Sequence, residues 1–305
     1  MVISMQTGVT NNHFKMVINE VQGYLEKDED IPQELFIDFI GELKYTNLLL
    51  PAIIEGDDLI FENLISDEDD STVLPLFTDD TEFDAQEDSQ YEAIPNEIDY
   101  YVEIVNDQEF DGVLINQGTL DFFIGRDLLN NVPLGPEIEV DDDTEGYGPD
   151  KLYDIAKSAS NDSLIEFIKS ENNKFEDLML ELKNSCLLNV VASDDELKAE
   201  SGIISIDDVD DFELCTTYDD ADEYGILFTS ADAINQTKGE GNFYCQLTLL
   251  DDFIDFVLRS DMAGIIINPG IDDYLISREY LIEAFGGLTY NNENFKNALD
   301  YLFVL

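Results

Sequence analysis

The 305-residue sequence predicts an α+β protein of two homologous domains, each a small mixed β-sheet packed with helices. The first observation behind this is that GVLINQGTLDFFIGRDLL, residues 112–129, returns as GIIINPGIDDYLISREYL, residues 264–281, at an ungapped offset of 152 residues. A period this long marks a duplicated domain rather than a solenoid. The second is that strand-type and helix-type runs alternate without a regular strand–helix–strand rhythm, which argues against a doubly wound parallel sheet. The third is length, which suffices for two domains that each bury a core.

The first domain is expected over residues 12–132. Val17, Ile18, Val21 and Leu25 recur at helical spacing. A second helix follows Pro32, whose fixed φ suits a first helical turn, and runs through Leu35, Phe36, Phe39, Ile40 and Leu43. LLLPAIIEGDDLIFENL, with Glu-Gly-Asp-Asp between two apolar runs, predicts a hairpin. TVLPLFT predicts a short strand, with Pro75 hinting at an edge or bulge, and TDDTEFDA an N-capped helical turn. Ile98, Tyr101, Val102 and Val105 predict a helix before the repeated stretch closes the domain as strand, turn, strand and helix start.

Residues 133–150, rich in Pro, Gly and acid, are expected to be a linker, and the second domain to span 151–290. It repeats the order: a helical segment over 151–170 interrupted near Ser160, then a helix over 175–183. CLLNVVAS and GIISID stand in place of the first hairpin. In YGILFTSADA, Phe228 and Thr229 match Phe77 and Thr78. NENFKNALDYLFVL has no counterpart, and residues 291–305 are expected to be a C-terminal helical segment.

A net charge of −56 repels phosphate backbones and anionic headgroups, so no direct nucleic-acid or membrane binding is expected. A basic protein is the partner such a surface suits. At 44% apolar residues, with 19 Phe and 14 Tyr, the chain nonetheless has the composition of a folded protein. Cys186, Cys215 and Cys245 lack the close spacing of zinc ligands or redox dithiols and suit a core. No basic, apolar leader opens the sequence and nowhere do about 18 apolar residues run together, so a soluble, cytoplasmic protein is expected.

The residues that could carry function are those the repeat preserves. Asn116 and Gly118, with Asn268 and Gly270, read as tight turns between strands, because Asn and Gly adopt positive φ most cheaply. They read alternatively as an exposed recognition edge whose backbone amides are available. Arg126 and Arg278 take the same repeat position in a chain with three arginines. Each suits a bidentate ion pair, with Asp121 or Asp273, or else a cleft that captures a carboxylate or phosphate. His13 is the single histidine, and no Ser-His or Cys-His pair, Walker loop, dinucleotide loop or calcium loop occurs. No catalytic residue, metal ligand or cofactor is expected, and the acidic runs at 66–70 and 141–143 read as solvated loops.

Two N-terminal helices, a strand ending in LPLFTDD or GILFTSA, a helix, then GVLINQG or GIIINPG with an aromatic-bearing strand and an Arg-led helix together resemble the N-terminal domain of the SseB (enhanced serine sensitivity protein) family. The resemblance covers about residues 12–132 and 151–290, so the chain looks like two such domains in tandem. The second half departs from the family's usual C-terminal domain, and the acidity exceeds the family pattern. The resemblance implies a non-enzymatic, cytoplasmic interaction or regulatory adaptor. A small-anion sensor using Arg126 and Arg278 is the alternative, ahead of a nucleic-acid mimic or an enzyme.

Overall fold

The computed structural model describes residues 7–55, 58–61, 63–65, 71–85, 91–132, 146–170, 175–193, 196–199, 201–209, 211–237, 239, 241–285, 295 and 297–305. The architecture is mixed α and β, with helices packed on several small sheets. Two compact units divide the chain: Met1–Gly135 with Arg259–Asp261, and Pro136–Leu258 with Met262–Leu305.

The first unit runs α1 (Asn12–Leu25), α2 (Gln33–Lys44), β1 (Asn47–Glu55), β2 (Asp58–Phe61), β3 (Leu64–Ile65), β4 (Thr72–Leu76), α3 (Asp80–Asp84), β5 (Glu92–Glu97), α4 (Ile98–Asp107), β6 (Gly112–Ile115), β7 (Phe122–Gly125) and α5 (Arg126–Leu129). One sheet has the order β2-β1-β5 and is antiparallel throughout. The other has the order β3-β4-β6-β7, with a parallel β4/β6 pair flanked by antiparallel partners. Leu49 and Phe77 exchange backbone hydrogen bonds of 2.8 and 2.9 Å, which joins the two sheets.

The local reasons are legible. Helix α1 buries Phe14, Ile18 and Val21 at helical spacing, and α2 buries Leu35, Phe39 and Leu43 after Pro32. Glu34 in the first turn of α2 and Lys44 in its last both complement the helix dipole. Asp79 caps α3, its Oδ1 accepting from the Glu82 amide at 2.9 Å. Phe39 meets Phe14 at 6.2 Å and Phe122 at 5.7 Å between ring centroids, so both helices and β7 share one core. Tyr101 of α4 is fully buried and donates to the Leu48 carbonyl at 2.6 Å, tying the same core to β1.

The second unit runs α6 (Pro149–Ser158), α7 (Asp162–Ile168), α8 (Phe175–Asn184), β8 (Leu188–Ser193), β9 (Ile203–Ser205), β10 (Glu213–Leu214), β11 (Thr216–Asp219), β12 (Asp222–Leu227), α9 (Ala231–Thr237), β13 (Asn242–Leu247), α10 (Leu250–Arg259), β14 (Gly264–Ile267), β15 (Tyr274–Ser277), α11 (Arg278–Phe285) and β16 (Tyr301–Phe303). Its sheet β11-β12-β14-β15 has the pairing of β3-β4-β6-β7, with β12 and β14 parallel. Leu188 and Phe228 bridge as Leu49 and Phe77 do, at 2.9 and 2.8 Å. Gly112 and Gly264 share a steric reason to be glycine: a Cβ would collide with the carbonyl oxygen of Ile124 in one unit and of Ile276 in the other.

Two expectations need correction, one strand is added and one boundary shifts. The C-terminal segment does not end as a helix: after a 3-10 turn at Ala298–Asp300 it closes in strand β16, which pairs β13 and β9. Alternation of apolar Leu302 and Phe303 with the sheet's two faces outweighs the helical appearance of the preceding residues. CLLNVVAS and GIISID do not form a hairpin, because β8 pairs β10 and β13 while β9 lies at the far edge of that sheet, whose order is β10-β8-β13-β16-β9. Residues 92–97, for which no element was expected, form the edge strand β5, a position that tolerates Pro95. The linker expected over 133–150 lies outside the described residues from 133 to 145, and its end already belongs to α6, which has Pro149 at its start.

Candidate functional site

The end of the parallel strand pair gathers the residues the repeat preserves. In the first unit β4 runs into Thr78 and β6 into Asn116, whose amide donates to the Leu76 carbonyl at 2.9 Å. Asn116 takes a left-handed backbone, φ 53°, and turns its carboxamide inward. Its Oδ1 accepts from the Thr78 amide at 2.9 Å, and its Nδ2 donates to the Thr78 hydroxyl at 2.9 Å. From the other side, Asn11 Nδ2 donates to the carbonyls of Asn47 at 2.7 Å and Thr78 at 2.6 Å. One polar knot thus pins the start of α1, the start of β1, the end of β4 and the end of β6.

The second unit carries the same knot. Thr229 N donates to Asn268 Oδ1 at 2.9 Å, and Asn268 Nδ2 to the Thr229 hydroxyl at 2.9 Å. Asn161 Nδ2 donates to the carbonyls of Cys186 and Thr229, each at 2.7 Å, as Asn11 does in the first unit. Asn116 and Asn268 take the positive φ expected of a tight turn, 53° and 52°; with Thr78 and Thr229 they are buried, so they act as internal braces and not as the exposed edge of the alternative reading. Asn11 and Asn161, and the thronged role of Thr78 and Thr229, escaped the sequence. The signal was there in the Phe-Thr match, but a lone Asn ahead of each helix carries no pattern.

Gly118 and Gly270 do lie exposed in the turn, at φ 81° and 76°. Their amides are taken: Gly118 N donates to Asp121 Oδ1 at 2.7 Å and Gly270 N to Asp273 Oδ1 at 2.6 Å. Asp121 and Asp273 are therefore turn anchors and not the arginine partners envisaged above. The two arginines differ. Arg278 is buried and its Nη1 donates to the Met262 carbonyl at 3.1 Å. Arg126 is half-buried and makes no ion pair among the described residues. Both backbone amides are used alike, Arg126 N to the Asp111 carbonyl at 2.8 Å and Arg278 N to the Ala263 carbonyl at 2.9 Å.

Beside the first knot, Lys15 Nζ lies 2.7 Å from Asp79 Oδ2 and 3.4 Å from Glu82. Burial alone would lower the Lys15 pKa, but hydrogen bonding and attraction to Asp79 and Glu82 outweigh it and raise it. Burial would likewise raise the Asp79 carboxyl. The Lys15 hydrogen bond, the Glu82 amide and the Lys15 charge hold it below the ordinary value. In the second unit Ser230 caps α9 through the Ala233 amide at 3.1 Å, and Lys169 meets Asp272 at 3.3 Å instead. The Asn–Thr knot is thus repeated while its charged periphery is not: in the second unit Asn268 Nδ2 also donates to Asp272 Oδ2 at 2.8 Å.

Outside the knot, the second unit holds a cleft of about 860 Å³ with Glu196, Asp208, Asp211 and Lys198 around Ile203, Ile204 and Tyr301. Among the described residues no three His, Cys, Asp or Glu side chains are placed to hold a metal ion. Burial pushes the Cys186 thiol up to about 12, which leaves it protonated and a poor nucleophile at neutral pH.

The strands that follow the turns offer a different surface. Strands β7 and β15 are the outer strands of their sheets. Phe123, 51% exposed, and Leu275, 49% exposed, take the same place on them, paired with Leu114 and Ile266 respectively. Ile65 of β3 and Tyr218 of β11, at the opposite edges, are each 66% exposed. No protein-family model, curated protein or solved structure matches the chain. No helix among the described residues is long and apolar enough to cross a membrane.

Proposed function

We propose that the chain is a non-catalytic protein-interaction adaptor, two homologous SseB-like domains in tandem, that engages a basic partner protein through its acidic surface. The observation that carries this is the pair Phe123 and Leu275: an exposed large apolar side chain at the same place on an outer strand of each unit. An outer strand keeps unpaired backbone groups, and an apolar anchor amid acidic surroundings suits a partner whose Lys and Arg flank an apolar contact. The net charge of −56 supplies the long-range attraction. The shared strand order, the paired knots and the repeated stretch support descent of both units from one domain.

The anion-sensor reading is the weaker one. It requires equivalent clefts around Arg126 and Arg278, yet Arg278 is buried with Nη1 on a backbone carbonyl while Arg126 is half-buried. The adaptor reading is tested by capture from native lysate at two salt concentrations, with Phe123→Ser/Leu275→Ser as the comparison. A discrete basic protein held at low salt and lost in the variant is the expected result.

A further inference from the structure

The two units treat one face of their other sheet differently. Directly paired residues of an antiparallel ladder share a face. In the first unit the pairs Leu49 with Pro95, Pro51 with Ala93, and Ile53 with Ile60 therefore define one face of β2-β1-β5. In the second, the Leu188–Phe228 bridge aligns Leu188 with Leu49, so the same face carries Leu188 with Leu247, and Val190 with Cys245, which also opposes Phe303.

That face of the second unit is sealed by a helix. Leu152 and Ala156 of α6 are fully buried in one cluster with Leu188, Val190, Cys245, Leu247 and Phe303. Tyr153 of α6 adds its ring 5.9 Å from that of Phe303. In the first unit, Phe83 of α3 covers the Leu49 and Phe77 end, with Phe77 5.8 Å away. Beyond it Pro51, Ile53 and Ala93 are only half-buried, Pro95 is exposed, and Ile60 is 45% exposed. Pro95 lacks an amide hydrogen, which disfavours an added strand along β5 and leaves the face itself as the place to bind.

We propose that this face of the first unit docks an amphipathic helix of a basic partner protein, in the manner that α6 covers the equivalent face of the second unit. The proposal rests on the adaptor reading and names one of its surfaces. α6 supplies the template, since its Leu152, Tyr153 and Ala156 present the apolar stripe that such a sheet accepts. The basic polar side follows from charge complementarity with a chain of net charge −56.

The test uses the full-length chain with labelled Ile methyl groups and a peptide of residues 147–160 carrying Asp150→Lys and Asp154→Lys, which makes the α6 sequence basic. A scrambled peptide of the same composition carries the charge without the stripe. Shifts at the Ile53 and Ile60 methyls on adding the ordered peptide, and roughly tenfold weaker binding by Ile53→Ser/Ile60→Ser, are expected for two lost apolar contacts. Equal binding of the scrambled peptide, or shifts that spare Ile53 and Ile60, overturns the proposal. Capture from lysate separates it from the reading beneath. A basic partner held equally by the wild type and by Ile53→Ser/Ile60→Ser rejects this face and leaves the adaptor standing. No partner at all, with the peptide still docking at Ile53 and Ile60, rejects the adaptor and leaves the surface.

Discussion

The Asn116 carboxamide closes on Thr78 in both directions, accepting from its amide at 2.9 Å and donating to its hydroxyl at 2.9 Å. Asn268 and Thr229 do the same at the same two distances. Because these groups are buried, removing one partner leaves the other without water to replace it. Asn116→Ala is expected to destabilise the first unit by about 3 kcal/mol, adding the left-handed backbone penalty to the orphaned Thr78 groups. Thr78→Ala with Asn116→Ala should cost less than the sum of the two singles. Denaturant titration of the four-member cycle measures this, and additivity would refute the coupling.

The two turn glycines should behave alike. With φ at 81° and 76°, Gly118→Ala and Gly270→Ala are each expected to cost about 1 kcal/mol, with no change in fold, because the turn is open around them. Asp121→Ala, which frees the Gly118 amide, should cost a comparable ~1 kcal/mol. Thermal melts of the three variants compare them directly.

The arginines should not behave alike. Arg278→Ala removes a buried donor from the Met262 carbonyl and is expected to destabilise by about 2 kcal/mol. Arg126→Ala, at a half-buried site, is expected to stay within about 0.5 kcal/mol of the wild type. Equal losses at the two positions would contradict the difference in burial between them.

Strand β16 makes Cys245 a reporter. Phe303 opposes Cys245 and both are buried, so deleting residues 301–305 should open the thiol to a disulfide reagent and destabilise the second unit by about 3 kcal/mol or more. An unreactive Cys245 in the truncated chain would mean that β16 does not cover it.

Acid should act on the Lys15–Asp79 pair with a defined sign. The folded pKa of Asp79 lies below its ordinary 3.8, so its contribution is present above that value and is lost as pH falls through the lowered one. The folded pKa of Lys15 lies above 10.5, so its contribution is complete below 10.5 and is lost as pH rises through the raised one. Asp79→Asn keeps a competent helix cap and removes the charge. The stability difference between wild type and Asp79→Asn should therefore shrink as pH falls below about 3.8. Comparing the pair cancels the relief of acidic self-repulsion that both chains share.

How much was legible follows from where the information resides. Helices α1, α2, α4 and the strand–turn–strand of the repeat announce themselves through local periodicity and turn chemistry, so residues near each other in sequence suffice. Strands β5 and β16 were not legible because they are short segments whose state is decided by pairing with β1 and β13. The knot was half legible: Asn116 and Asn268 stood out, but their burial depends on Asn11 and Asn161, which meet Thr78 and Thr229 across 67 and 68 residues. Asp121 and Asp273, suggested as arginine partners by nearness in sequence, each accept from a glycine amide three residues earlier, and among the described residues no ion pair joins them to Arg126 or Arg278.

The adaptor account is tested most directly by affinity capture of the tagged full-length chain from its native lysate at low and high salt, run beside Phe123→Ser/Leu275→Ser. The account predicts one discrete basic protein, retained at low salt, released at high salt and lost in the variant. A retained set that is the same for both chains, or no protein retained at low salt by the wild type, would contradict it.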